Sequence, residues 1–230
     1  MKILYKSRNA VVIYKPPGIS SQPDDLCDGD AMTELSEQLG TLGEPDILYP
    51  VHRLDKVVGG LLIFARNKQS AAKLSALISG EGIGKEYFAV ADGEAIGGEY
   101  TDMLFKDSRQ NKAIISKDSQ GGAKEARLHA TAIDTVMTDK GAKTLLRIKL
   151  DTGRFHQIRA QLSSRKTPIT GDSKYGSRDY RCRIPALHSS RLTLTLGAEK
   201  IDVFCPPDTD AYPWNLFSAD KYILKSAKEV

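Results

Sequence analysis

The chain has little cysteine, and what it has is badly placed for cross-linking. Cys27, Cys182 and Cys205 form an odd, scattered set with no CxxC spacing. They fit neither a disulfide framework nor a zinc site, and a reducing compartment is implied. The four histidines, His52, His129, His156 and His188, show no HxxxH or Cys/His spacing, so no metal is expected. No window reaches the ~18 uninterrupted apolar residues of a membrane helix. The N-terminus, Met1-Lys2-Ile3-Leu4-Tyr5-Lys6, meets charge too early for a secretory signal. A cytoplasmic protein with no membrane contact is therefore expected. The clustered carboxylates of a metal-dependent nuclease are missing. So is a G-x-S-x-G elbow. That argues against a Ser/His/Asp hydrolase built on His188 beside Ser189 and Ser190, because neighbours on a strand face opposite ways.

Positive charge is absent from one stretch and crowded into another. Between Pro16 and His52 there are no Lys or Arg and eight acids, a balance of −8. Between Lys143 and Arg191 twelve Lys/Arg face three acids (Asp151, Asp172, Asp179), a balance of +9. Composition alone leaves two readings open: two solvated faces, or a polyanion-binding surface in the C-terminal half with an acidic segment kept away from it. The 40% hydrophobic and 27% charged fractions over 230 residues are those of an ordinary globular protein.

Periodicity gives a coarse map. Ala10–Lys15 reads as a buried strand stopped by Pro16-Pro17-Gly18. A helix is expected over 30–40, capped by Asp30 with Gly40 past its end. Leu61–Ala65 is a short apolar strand after Gly59-Gly60, and Asn67 caps a helix over 68–78 that Gly80 ends. Strands follow near 86–91, 126–136 and 144–150, then a helix from near His156, and a final alternating strand over Leu192–Leu196. The polar, turn-rich stretch from Lys106 to Gly122 predicts a long hairpin or insertion. Strands outnumber helices and most connections are too short for a βαβ crossover. The expectation is an α+β fold, one domain around a large mixed, mainly antiparallel sheet with flanking helices.

Candidate chemistry lies in His52-Arg53-Leu54-Asp55, Lys85-Glu86-Tyr87-Phe88-Ala89, Gly153-Arg154-Phe155-His156-Gln157-Ile158-Arg159, Gly171-Asp172-Ser173-Lys174-Tyr175-Gly176 and Leu187-His188-Ser189-Ser190-Arg191-Leu192. Singly, each has an ordinary explanation. An aspartate before a strand commonly fixes a turn, a tyrosine in an apolar strand is a core aromatic, and basic residues at a helix start sit where the dipole and N–H groups attract anions.

In this order and spacing, the HRLD turn, the KxYxA strand and the GRxHQIR segment resemble the RluA-type family of pseudouridine synthases, over nearly the whole chain. The resemblance implies the pseudouridine synthase fold, an RNA-modifying isomerase, and no cofactor. Asp55 matches the family's catalytic aspartate, Tyr87 its active-site tyrosine, and Arg159 the arginine that pairs with that aspartate. Arg53 matches an arginine associated with displacing the target base, and Leu187 an apolar wall of the base pocket. His52, Lys85, Arg154, His156, Lys174 and Arg191 are carried as RNA-binding candidates, with His156 and Gln157 open between touching RNA and fixing the helix start, the latter favoured for Gln157. Two departures stand out. Val58-Gly59-Gly60 replaces the usual Thr-Ser-Gly, removing two hydroxyls from the catalytic loop. The first core strand begins near residue 10, so no N-terminal S4-like domain is expected.

The implied reaction detaches uracil from ribose, rotates it and rejoins it through carbon. It needs an ionised carboxylate in a closed pocket, a grip on the loose base and removal of the C5 proton. The carboxylate has three routes open: attack on the base, attack on the sugar, or removal of a sugar proton. A guanidinium such as Arg159 would keep it ionised, and a stacked uridine must first be flipped out. Arg154, Lys174, Arg178, Arg181, Arg183 and Arg191 are expected on phosphates. Ribosomal and transfer RNA both fit as partner, with no protein partner and a monomer expected. The rival reading is a catalytically impaired RNA-binding protein that retains the fold, for which Val58-Gly59 is the support.

Overall fold

The computed structural model describes residues 1–23, 29–80, 82–116 and 122–223. Cys27, three acids of the acidic segment (Asp24, Asp25 and Asp28) and positions 117–121 of the expected hairpin lie outside them. The chain divides into two compact units, Met1–Lys85 with Ser189–Cys205, and Glu86–His188 with Pro206–Val230. The class is α+β on a mainly antiparallel sheet.

In the first unit β1 (Lys2–Lys6), β2 (Ala10–Lys15), β4 (Gly59–Ala65) and β10 (Leu187–Leu196, from Ser189 onward) lie in that order, with β3 (Tyr49–Pro50) on β4 and β11 (Glu199–Phe204) on β10. The pairs β1–β2, β2–β4, β3–β4 and β10–β11 are antiparallel. All seven residues of β4, Gly-Gly-Leu-Leu-Ile-Phe-Ala, are buried, which explains why its sequence runs apolar instead of alternating. Its Leu61 and Ile63 share a core with Ala10, Val12, Leu74, Leu192, Leu194 and Ile201, each large aliphatic side chain contributing roughly 1.5–3 kcal/mol.

Helices α1 (Ala31–Thr41) and α2 (Lys68–Ser79) start where local cap chemistry predicts. Asp30 Oδ1 accepts from the backbone N–H of Met32 (3.0 Å) and Thr33 (2.9 Å), and Asn67 Oδ1 from Ser70 (2.8 Å). Each such cap contributes about 1 kcal/mol. Gly40 falls inside α1 and not past it, since the helix runs to Thr41 and closes on Leu42.

The second unit orders β5 (Ile83–Asp92, from Glu86 onward), β9 (Gly141–Leu150), β8 (Lys124–Thr138), β6 (Gly98–Asp107) and β7 (Lys112–Ser116). The 106–122 stretch contains a hairpin in which Asp107 pairs with Lys112 and the Asp107 carboxylate accepts from the Arg109 and Gln110 amides. Helix α3 (Gln157–Ser164) buries Ala160 against Leu104, Ala113, Ala126 and Tyr175. A single helical turn, α4 (Ala219–Tyr222), comes last among the described residues. No helix among the described residues is long and apolar enough to cross a membrane. The strand read as Leu192–Leu196 begins at Leu187 and is not the last, because β11 follows it through the Gly197 turn. The charged Glu199-Lys200 start and short alternation of β11 hide an edge strand whose partner supplies its stability.

Gly60 shows why the turn before β4 needs glycine. Its φ is +119°, and a Cβ there would stand 2.3 Å from the Ser189 carbonyl oxygen. Neither the backbone conformation nor the rigid neighbour can yield. Gly60→Ala is expected to cost about 1–3 kcal/mol of stability, the range of core overpacking. The check is chemical denaturation; a variant within 0.5 kcal/mol of the parent would contradict it.

Candidate active site

The HRLD turn is held from two sides inside the first unit. Upstream, Ser21 is buried and its hydroxyl both accepts from Leu54 N (2.9 Å) and donates to Leu54 O (2.8 Å), using donor and acceptor capacity together. Downstream, Lys56 O accepts from Gly18 N (2.7 Å) and from the Lys15 ammonium (3.4 Å). Val58 N donates to Asp55 O (3.0 Å), closing the turn itself. Asp55 thus sits between two residues whose backbone groups are fixed by Lys15-Pro16-Pro17-Gly18-Ile19-Ser20-Ser21. Val58 is 1% exposed, so where the family usually has a hydroxyl this chain packs an aliphatic group.

Lys15 is the residue the sequence reading missed. It ends β2 with no solvent exposure, and its ammonium also donates to Pro16 O (3.0 Å) and Ile19 O (2.9 Å). Burial pushes it down to about 8, while the negative charge of Asp55 pulls the other way, as an anion near a cation does. The signal in the sequence was a lysine closing an otherwise apolar run just before Pro-Pro-Gly.

His52 holds the turn too. The His52 Nε2 accepts from the backbone N–H of Ile63 in β4 (3.2 Å), which requires the neutral ring. Burial, and then the nearby Lys85 charge, push His52 down to about 4. Lys85 is itself buried and lowered by that burial. Arg53 is exposed. Arg191 forms a two-pronged pair with Asp202 on β11, Nε–Oδ1 2.9 Å and Nη2–Oδ2 2.7 Å, so its charge is largely compensated.

In the second unit the GRxHQIR segment folds as the entry to α3. Gln157 is buried; its side-chain oxygen accepts from Thr152 Oγ1 (2.8 Å) and Arg154 N (3.0 Å), and its amide donates to Arg127 O (2.9 Å). His156 occupies the N-cap position with φ +49° and no side-chain cap bond. Its ring stacks on Phe155 at 3.8 Å and Nδ1 meets the Tyr175 hydroxyl at 2.9 Å. A non-glycine residue held at positive φ is uncommon and persists where surroundings over-determine it.

Arg159, 4% exposed, makes a two-pronged pair with Asp172, which is 1% exposed: Nε–Oδ2 2.6 Å and Nη2–Oδ1 2.9 Å. The Tyr175 ring lies 4.9 Å from the guanidinium carbon. A guanidinium has five N–H donors, and this pair uses two while fixing the plane of the group. Asp172 and Tyr175 come from the same GDSKYG segment as Lys174, a segment singled out in the sequence without a role for its acid. Lys174 is exposed, Tyr87 and Leu187 are buried on β5 and β10, and Arg154 is exposed with Nε donating to Glu125 O (2.8 Å).

Residues 9–164 match a family model described as RNA pseudouridylate synthase. They include the HRLD, KxYxA and GRxHQIR segments; Lys174, Leu187 and Arg191 lie beyond. An uncharacterized RNA pseudouridine synthase of Haemophilus influenzae is 30% identical over 90% of this chain and 88% of its own length. Ribosomal large subunit pseudouridine synthase D of Pseudomonas aeruginosa is 30% identical over 85% of this chain, which spans 59% of that relative. Among solved structures, human RNA pseudouridylate synthase domain containing 1 shares the fold, with a TM-score of 0.78 at 22% identity over 100% of this chain and 95% of the other.

The His52 bond has a pH consequence. The folded value, about 4, lies below the ordinary 6.5. Above pH 6.5 the ring is neutral folded or unfolded and its stabilisation is complete. As pH falls from 6.5 through 4 the unfolded chain binds the proton first and stability is lost, on the order of 2–3 kcal/mol. His52→Gln keeps an acceptor for Ile63 without titrating, so its melting temperature should fall less steeply over that window. Parallel profiles for parent and variant would contradict the assignment.

Proposed function

The chain belongs to the RNA pseudouridylate synthase family, the RluA-type isomerases, and from that premise we propose that it converts a uridine of ribosomal RNA to pseudouridine using the carboxylate of Asp55. The observation that carries this reading is the HRLD turn inside the matched residues 9–164, with Leu54 and Lys56 pinned on either side of Asp55. A carboxylate whose backbone is already fixed needs little reorganisation when charge develops. Ribosomal RNA is preferred to transfer RNA because the P. aeruginosa relative is a ribosomal large subunit pseudouridine synthase.

In the proposed reaction the bond from ribose C1′ to uracil N1 breaks, the base rotates, and C1′ bonds to C5. C5 gives up its proton and N1 ends with one, so atoms balance and nothing is oxidised. Asp55 acts at the sugar or the base, Arg159 keeps it ionised, and Tyr87 stacks on the uracil with its oxygen near C5. Arg53 fills the space the flipped uridine leaves, and Leu187 walls the base. That Arg159 serves Asp55 while also bound to Asp172 is part of the proposal, as is a single catalytic domain. His52 is assigned to holding the turn. Phosphate contacts fall to exposed Arg154, Lys174, Arg178 and Arg183, since Arg191 and Arg181 are compensated by Asp202 and Asp179.

The impaired-enzyme reading leaned on the missing hydroxyls at Val58 and Gly59. Ser21, Lys15 and Gly18 hold the turn without them, which weakens that reading. Asp55→Asn should fold normally and lose at least ~10²–10⁴-fold in tritium release from ribosomal RNA labelled at uridine C5. Tyr87→Phe should bind RNA nearly as the parent does yet turn over far more slowly. An Asp55→Asn protein that releases tritium at the parent rate would refute the assignment.

A further inference from the structure

A short segment of the second unit, Arg178-Asp179-Tyr180-Arg181-Cys182-Arg183, is built in an unusual way. Asp179 is 5% exposed and its carboxylate takes the Arg181 guanidinium (Nε 3.0 Å, Nη2 2.8 Å), the Tyr212 hydroxyl (2.5 Å) and the Lys143 ammonium (2.9 Å). Arg181 above all, then Tyr212 and Lys143, hold it well below the usual carboxylate range. Lys143 also binds Asp92 on β5 (2.5 Å), and Asp92 accepts from Thr170 (2.7 Å) and Ser177 (2.6 Å). Asp179 is therefore tied to Lys143 on β9, and Ser177, two residues before it, to Asp92 on β5. Breaking such a pair on one side typically costs several kcal/mol.

What this anchor presents is the opposite of what it buries. Tyr180 is 75% exposed, and Arg178 and Arg183, both exposed, make no ion pair among the described residues. One exposed aromatic on a protein surface is unremarkable. An exposed ring flanked in sequence by two exposed arginines, on a segment anchored through Asp179, is the chemistry that binds an unstacked nucleobase and its phosphates. A uridine that leaves its stack exposes the faces of its neighbours.

We infer that Tyr180 stacks on an unpaired base of the bound RNA while Arg178 and Arg183 contact the adjoining phosphates, a docking point for RNA made of none of the residues assigned to chemistry. The inference rests on the family reading for its ligand and adds to it a segment that grips a further nucleotide. The surface determines affinity and not the rate of isomerisation.

The test uses the full chain, with fluorescein-labelled oligouridylate as binding probe and tritium release from ribosomal and transfer RNA transcripts labelled at uridine C5 as turnover assay. Tyr180→Ala should weaken oligouridylate binding about 10-fold or more, the scale of one lost base stack. It should raise KM in parallel and leave the single-turnover rate at saturating RNA within about twofold of the parent. Tyr180→Trp should restore affinity, and its added fluorescence should be quenched by RNA. Arg178→Ala with Arg183→Ala should make the salt dependence shallower by roughly 1.5 in log–log slope. Unchanged affinity of Tyr180→Ala in an active enzyme sinks the docking point alone, as does a loss confined to the saturated rate. A parent protein that neither binds RNA nor releases tritium sinks the family-based reading, and this inference with it.

Discussion

The Lys15 ammonium has no contact with water and reaches three main-chain carbonyls, those of Pro16, Ile19 and Lys56. Keeping it charged there is costly: a shift from 10.5 to about 8 corresponds to about 3 kcal/mol. Apolar packing would be a cheaper way to join β2 to the following loop. What the ammonium adds is a positive charge that acts on Asp55 and a bond to the residue after it. With Ser21 on Leu54, it makes the segment after β2 and the HRLD turn into one hydrogen-bonded body within the first unit. The turn then enters β4 through Gly59-Gly60, where the close approach of Ser189 leaves no room for a side chain on Gly60.

The second unit handles charge in the same manner but with complete pairs. Arg159 is matched by Asp172 and Lys143 by Asp92 and Asp179, all deeply or largely buried. Each buried cation lies against a carboxylate that fixes its direction, which is how charge is kept inside a fold without a large net penalty. The basic excess seen in the sequence is therefore two populations. One is internal and structural, and the other, including Lys174, Arg178 and Arg183, faces solvent.

Much of the fold was legible because its signals are local. Asp30 and Asn67 cap their helices through atoms two or three residues away, and β4 is recognisable from its own apolar run. Edge strands were not legible: β1 has a lysine at each end, β11 opens on Glu199-Lys200, and they depend on β2 and β10 for order. Of the site, the HRLD, KxYxA and GRxHQIR segments were visible as motifs, yet their partners were not. Ser21 lies 33 positions from Leu54 and Lys15 41 from Lys56, and nothing in either sequence neighbourhood announces the other. The reading of Arg191 as a phosphate ligand could not anticipate Asp202, since the strand carrying it had not been seen. Asp172 was counted as charge when its geometry makes it the partner of Arg159.

The central claim is that hydrogen bonds from Lys15 and its neighbours set the position of the Asp55 turn, and with it the rate of the proposed isomerisation. The most direct measurement is turnover and RNA affinity of Lys15→Met, which keeps the length of the side chain and removes its donors and charge. The saturated rate should fall about 10²-fold, the scale of a misplaced catalytic group, with RNA affinity within a few-fold of the parent and faster amide exchange at Gly18 and Leu54. A Lys15→Met enzyme that is folded and turns over at the parent rate would contradict the account.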